Sequence, residues 1–239
     1  MPLPTIVTPT YELELPSTGK KVKYRPFLVK EEKLLVLALE SEDTKQITTA
    51  IRSVLKSCIQ TRGVKVDSLP TFDIEFLFLN IRGKSVGEEL EVNLISPDDG
   101  ETSVPVTINI DDIKVSRGKD HTNKIKLDDS LIMEMKYPSL DEFVKNNFDF
   151  KGEPNVDQSF DLIASCIDKI YNEEEVWSAA DCTKKEMKDF LEQMNSLQFK
   201  GIEKFFMTMP KLSHSITFTN PSTKVENTVV LEGLSSFFE

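Results

Sequence analysis

Apolar residues alternate with polar ones at three places along the chain, and between those places they recur at helical spacing. In YELEL, Tyr11, Leu13 and Leu15 share one face; after the turn PSTGK, the segment KVKYR sets Val22 and Tyr24 together. This predicts a hairpin turning at Gly19. From Lys30 the residues Leu34, Leu35, Leu37, Ala38 and Leu39 read as a helix with its apolar face turned inward. Thr44 is placed to cap a second helix, whose stripe is Ile47, Ile51, Val54, Leu55 and Cys58. A helix opening at Thr71 carries Ile74, Leu77, Phe78 and Ile81 around most of its circumference, so deep burial is expected, with Gly83 as its terminator. A hairpin follows: Leu90, Val92 and Leu94 answer Val104, Val106, Ile108 and Ile110 on one face, while the intervening residues are polar.

Residues 111–137 suggest short strands, at Ile113 and Val115, at Ile125 and Leu127, and at Leu131, Met133 and Met135. SRGKDHTN (116–123), with His121, reads as an exposed loop. Beyond Pro138, Ser139 with Glu142 makes a capping box for a helix whose apolar side is Phe143, Val144 and Phe148. KGEPN (151–155) reads as a linker. A helical run then sets Phe160, Ile163, Ala164, Ile167 and Ile170 on one stripe, and NEEEVWSAAD separates it from a capping box at Thr183 and Glu186. The helix so capped carries Met187, Phe190, Leu191 and Met194; another, over roughly 196–209, ends at Pro210. The last hairpin pairs His214, Ile216 and Phe218 with Val225, Asn227, Val229 and Leu231 around NPSTK.

The sum is an α+β fold of several hairpins packed with about six helices. The expected division is 1–150, an N-terminal α+β domain, and 151–239, a helical region ending in a hairpin. EKFFMTMP and its hairpin repeat the plan of the helix and hairpin at 72–110, which suggests a duplicated unit.

Composition narrows the function. With 39% hydrophobic and 29% charged residues the chain belongs with folded soluble proteins rather than disordered ones. It has no apolar run long enough to span a membrane, and the start, MPLPTIVTPT, lacks the marks of a signal peptide, so the protein is expected to stay in the cytosol where it is made, or to be assembled from there. Three scattered cysteines do not make a disulfide framework. The net charge is −11, and residues 141–195 alone hold 14 acidic and 6 basic side chains, a sum of −8. That sign disfavours phosphate contact, so nucleic acid is not an expected partner.

Four chemistries have candidate residues in the chain. Cys182 stands just before a helix start, where the dipole can lower a thiol pKa, with only His121 and His214 as imidazole partners. Cys58 lies on a helix stripe and reads as a small core residue. Ser96-Pro97-Asp98-Asp99-Gly100 occupies a hairpin tip where a zinc knuckle would carry cysteines, and Thr219-Asn220-Pro221 occupies the other; the thiolates are absent. Gly83-Lys84-Ser85 lacks the earlier glycine of a phosphate loop and follows a helix, so Lys84 and Ser85 read as surface turn residues. The aspartate pairs 98/99, 111/112 and 128/129 lie in turns on different elements. None of these reads as a catalytic, cofactor or metal site, and no small-molecule substrate is expected. Phe205 and Phe206, and Leu234, Phe237 and Phe238 in the tail, are the candidate protein-interface residues.

Three extended runs, TGKKVKYRPFLVKEEKLL, FDIEFLFLNIRGKSVGE, and MPKLSHSITFTNP with ENTVVLEGLSSFF, resemble the baseplate hub and hub-assembly proteins of T4-like contractile-tailed phages. The resemblance implies a non-enzymatic role in building the tail baseplate hub, other hub proteins as partners, and a place in the virion after assembly in the host cytoplasm. A transient assembly chaperone is the alternative, and the first eighty residues resemble small tail assembly chaperones more weakly. A hub-associated hydrolase is a remoter one.

Overall fold

The periodicities above become six α-helices and eleven strands among the described residues, which are 6–41, 43–140, 156–233 and 236 of a computed structural model. In chain order these are β1 Tyr11–Glu14, β2 Lys21–Tyr24, α1 Val29–Glu40, α2 Thr44–Cys58, α3 Thr71–Val86, β3 Glu89–Ile95, β4 Ser103–Asn109, β5 Lys114–Ser116, β6 Lys124–Lys126, β7 Ile132–Met135, α4 Val156–Ser165, β8 Ile167–Tyr171, β9 Val176–Ser178, α5 Lys184–Glu192, α6 Ser196–Thr208, β10 Lys211–Thr219 and β11 Glu226–Glu232. The class is α+β. The chain forms two compact units, one of Met1–Val66, Phe72–Ser116 and Lys211–Glu239, the other of Asp67–Thr71 and Arg117–Pro210. Glu142, Phe143, Val144 and Phe148, on which the helix after Pro138 was to be built, lie outside the described residues, as does the linker 151–155.

The first unit is assembled on α3. Phe72, Ile74, Leu77, Phe78, Leu79 and Ile81 are all buried, and full burial of each such side chain stabilises by about 1.5–3 kcal/mol. Leu79 joins Leu90, Val92 and Leu94 of β3, Ile108 of β4, Leu212 and Ile216 of β10 and Leu231 of β11 in one core. Both apolar-faced hairpins therefore share one interior. Their registers follow the alternation, with Leu90 opposite Ile108 and Ile216 opposite Val229. β5 adds a third strand to the second hairpin, with Val115 opposite Leu212.

Gly83 does not end α3. The helix continues to Val86, and Gly87, at φ +122, makes the turn into β3. Gly83 is a packing residue instead, because a Cβ there would come within 3.0 Å of Ile110 Cδ1. Lys84 and Ser85 are consequently helical, and Ser85 Oγ accepts the Phe27 N–H at 2.9 Å. At the other end of α3 the buried carboxylate of Asp73 accepts the Ser17 N–H at 3.0 Å and the Ser17 hydroxyl, tying the β1–β2 turn to the helix. Burial pushes that carboxyl up, against the pull of the two Ser17 bonds.

The second unit is a four-stranded antiparallel sheet, ordered β6-β7-β8-β9, with α4, α5 and α6 contributing to its core. Here the stripe running from Phe160 to Ile170 is corrected: α4 stops at Ser165 and Ile167–Tyr171 is a strand. The reason is a bulge. Met133 and Met135, two apart on β7, pair with Ile170 and Ile167, three apart on β8, with the register shifting between Glu134 and Met135. The extra residue gives a strand a helix-like spacing. NEEEVW is likewise no plain linker, since Asn172 Oδ1 accepts the N–H groups of Glu174 and Glu175 at 2.9 and 2.7 Å and folds the chain back into β9. The capping box of Thr183 and Glu186 forms as the residues imply. The helix and hairpin at the C-terminus part company: α6 belongs to this unit, β10 and β11 to the other.

Gly201 lies inside α6, and a Cβ there would sit 2.5 Å from Ile125 Cγ2, a branch methyl held stiffly at Cβ. Gly201→Ala should lower stability by about 1–3 kcal/mol, although alanine favours an isolated helix by roughly 1 kcal/mol. Urea unfolding reads this, and Ile125→Ala in the same chain should recover part of the clash term.

Candidate functional site

α1 departs most from the burial its sequence implies. Only Glu31 and Ala38 of the helix are buried, whereas Val29, Leu34, Val36, Leu37 and Leu39 are 79, 41, 47, 54 and 60% exposed. At about 100° per residue those five side chains cover more than half of the circumference. The expected inward apolar face is corrected accordingly: α1 packs along α2 by one narrow side. Leu34, Leu37 and Ala38 form the floor of a shallow groove whose α2 wall includes Gln46, Thr49 and Ala50. No other helix among the described residues exposes more than two large apolar side chains.

The helix pair is held rigidly from below. Arg25 Nη2 reaches Glu31 Oε1 at 2.9 Å, with both side chains largely buried, and Glu31 Oε2 accepts the Leu28 N–H at 2.8 Å. Burial works to raise the Glu31 pKa, but these two donors hold it below the ordinary value. Arg25 Nη1 lies 3.7 Å from Cys58 Sγ, and the Arg25 N–H donates to Cys58 O at 3.0 Å, joining the start of α1 to the end of α2. The α2 cap is Asp43, not Thr44: its side chain accepts the N–H groups of Lys45 and Gln46.

The candidate interface residues fall in different places. Phe205 is 1% exposed and lies at the centre of the second unit's core. Phe206 is partly buried and meets Phe205 edge-on at 5.2 Å. Leu234, Phe237 and Phe238 lie outside the described residues.

His121 and Cys58 are held inside the fold, whereas Cys182 and His214 are partly exposed. The loop 116–123 is largely exposed as expected, but His121 within it is buried. Its ring packs with those of Tyr137 and Phe205 in a triangle, at centroid distances of 5.7 and 5.3 Å, with Nδ1 2.9 Å from Thr208 Oγ1 and Nε2 2.9 Å from Tyr137 Oη. Thr208 gives its own proton to Lys204 O at 2.6 Å, so it accepts from Nδ1–H and the Tyr137 hydroxyl donates to Nε2. Burial, then the Arg117 charge, lowers the His121 pKa. Gly118 lets this loop close on α6, since a Cβ there would meet Thr208 Cβ at 2.8 Å. The Cys58 thiol is pushed up to about 11 by burial, which removes it as a nucleophile.

The two hairpin tips hold each other. Gly100 N–H closes on Ser96 O at 2.8 Å and Lys224 N–H on Asn220 O at 2.9 Å, with φ of +70 at Gly100 and +63 at Lys224, so the turns match. Asn220, fully buried, donates to Asp98 Oδ1 at 3.0 Å and Asp99 Oδ2 at 2.9 Å; Asn227 donates to Asp98 Oδ1 at 2.9 Å, and the Thr223 hydroxyl to Asp98 Oδ2. Side-chain hydrogen bonds stand where a knuckle pair would hold metal. The Asn220 and Thr223 donors bring the Asp98 carboxyl down to about 2, and Thr102, followed by Asn220, holds Asp99 below the usual range. Among the described residues no three His, Cys, Asp or Glu side chains gather as metal ligands, and no helix is long and apolar enough to cross a membrane.

Fold and surface together define an α+β protein in which His121 and the tip aspartates are hydrogen-bonded within the fold and α1 leaves five large apolar side chains exposed. A family model described as T4 bacteriophage base plate protein matches residues 8–239, nearly the whole chain, and the chain belongs to that family. Membership gives it a structural role in the baseplate of a phage tail, in contact with other tail proteins. No curated protein and no solved structure matches it.

Two pH windows follow. Because the folded state disfavours a charged His121, its contribution is complete above the ordinary histidine pKa of about 6.5 and is lost as pH falls below it. Thermal melts between pH 8 and 5 should show that fall, and His121→Gln should flatten it. Asp98 has the depressed pKa of a carboxylate bonded in the folded state, so its contribution is present above the ordinary aspartate value and is lost as pH falls toward 2. Asn220→Ala should lower the melting temperature at neutral pH and shrink its further drop in acid.

Proposed function

We propose that this protein belongs to the hub of the baseplate and acts through protein–protein contacts, without catalysis. The observation that carries the reading is α1: a helix apolar over most of its circumference is normally buried, and here the single chain leaves it in water. Such a surface is stable in an assembly that covers it. The extended runs that resemble hub and hub-assembly proteins support the hub within the baseplate, and the engagement of both His121 ring nitrogens supports a structural role over thiol chemistry, since it occupies one of the two imidazoles that a Cys182 nucleophile could use. Phe206 and the tail residues Leu234, Phe237 and Phe238 belong to the proposed contact surface. Assembly takes place in the host cytoplasm, and the protein stays in the virion.

The test is quantitative mass spectrometry of purified virions combined with pull-down of tail components by the tagged protein. The expected result is stoichiometric presence in virions and cross-links to other hub proteins. Capture of hub components without the protein in virions would replace this reading with a transient assembly chaperone. Failure to capture any baseplate component would overturn it.

A further inference from the structure

We infer that α1 pairs with the α1 of a second copy of this chain, antiparallel about a two-fold axis. This names the partner of the uncovered helix and so rests on the reading that α1 is covered in the assembly. The segment from Lys33 to Glu40 reads Lys-Leu-Leu-Val-Leu-Ala-Leu-Glu, six apolar residues between a cation and an anion. Lys33 and Glu40 are equally far from the midpoint of Val36 and Leu37. At about 100° per residue, all four of these side chains fall within one quadrant or so of the helix surface. All four are exposed. An isologous contact requires a patch that complements itself when rotated by half a turn. Here the rotation lays Val36 on the partner's Leu37 and sets each Lys33 against the partner's Glu40.

Two further observations favour a copy over an unrelated helix. The last turn of α1 carries Glu40 and no basic residue, so the negative end of the helix dipole meets a negative side chain. A partner's Lys33 at that place relieves both. The helix is also prepositioned, since the buried Arg25–Glu31 pair fixes its start and Ala38 packs into the body of the unit. Docking would cost little ordering of the backbone. Apolar burial supplies the attraction; the two symmetric ion pairs, exposed and individually weak, select the antiparallel direction.

Sedimentation velocity on the purified full-length protein over a wide concentration range tests this. The wild type should dimerise reversibly. Leu37→Glu should be monomeric, with the melting temperature that the wild type shows when diluted to monomer, because Leu37 is 54% exposed in the single chain. Lys33→Glu should raise the dimer dissociation constant about tenfold, in line with loss and repulsion at two exposed pairs. Lys33→Glu combined with Glu40→Lys should restore it. A wild type that stays monomeric throughout, or a dimer that survives Leu37→Glu, overturns the pairing. A charge swap that does not restore the dimer overturns the antiparallel register. A monomer that still captures baseplate proteins ends the self-pairing and leaves the hub reading standing; a dimer that captures none does the reverse.

Discussion

The inward side of α3 is closed by two hairpins that lie about a hundred residues apart in the chain, and the first unit depends on that closure. Leu79 contacts a core to which β3, β4, β10 and β11 all contribute. The apolar faces of these hairpins have no other core to enter, and a two-stranded hairpin alone is marginal in water. Bringing the last strands back to the first therefore completes the interior. It also explains the tips, where Asn220 and Asn227 reach Asp98 across a sequence separation of more than a hundred residues. The tips meet because the two hairpins beneath them share that core.

The same economy runs through the polar groups. His121 has partners on both ring nitrogens, Glu31 is met by Arg25 and a backbone N–H, and the aspartates of the first tip are saturated by amides and hydroxyls. Groups bound in this way are poor acids, bases or ligands, because each would have to break existing bonds before meeting a substrate. The surface that α1 leaves uncovered, by contrast, is apolar. A baseplate component is made to be covered by neighbours, and unsatisfied apolar surface is the form such readiness takes.

Much of this was legible along the chain. The inward faces of the hairpins that pair Leu90 with Ile108 and Ile216 with Val229 follow from alternation, because a slip of one residue would turn every apolar side chain outward, and the turn between the strands excludes longer slips. The burial of α3 follows from its all-round apolar pattern, and the Thr183–Glu186 cap from local hydrogen-bond chemistry. The extended runs point to a baseplate protein of T4-like phages, and the family model bears out the baseplate. Other features were not legible for stated reasons. Ile167 and Ile170 have the spacing of a helix, and only a bulge in the strand pairing makes them a strand. Gly83 looks like a terminator, and only the approach of Ile110 shows it to be a packing residue.

What the sequence by itself determined is therefore local: which stretches are strands and helices where period and capping agree, the sides they would turn inward, and the absence of thiolates at the hairpin tips. Tertiary structure decided what covers each side. His121 is buried because Gly118 lets its loop close on α6, and α1 is exposed because it packs along α2 by one narrow side. An apolar pattern states that a surface should be covered; it does not say whether the same chain or another supplies the cover.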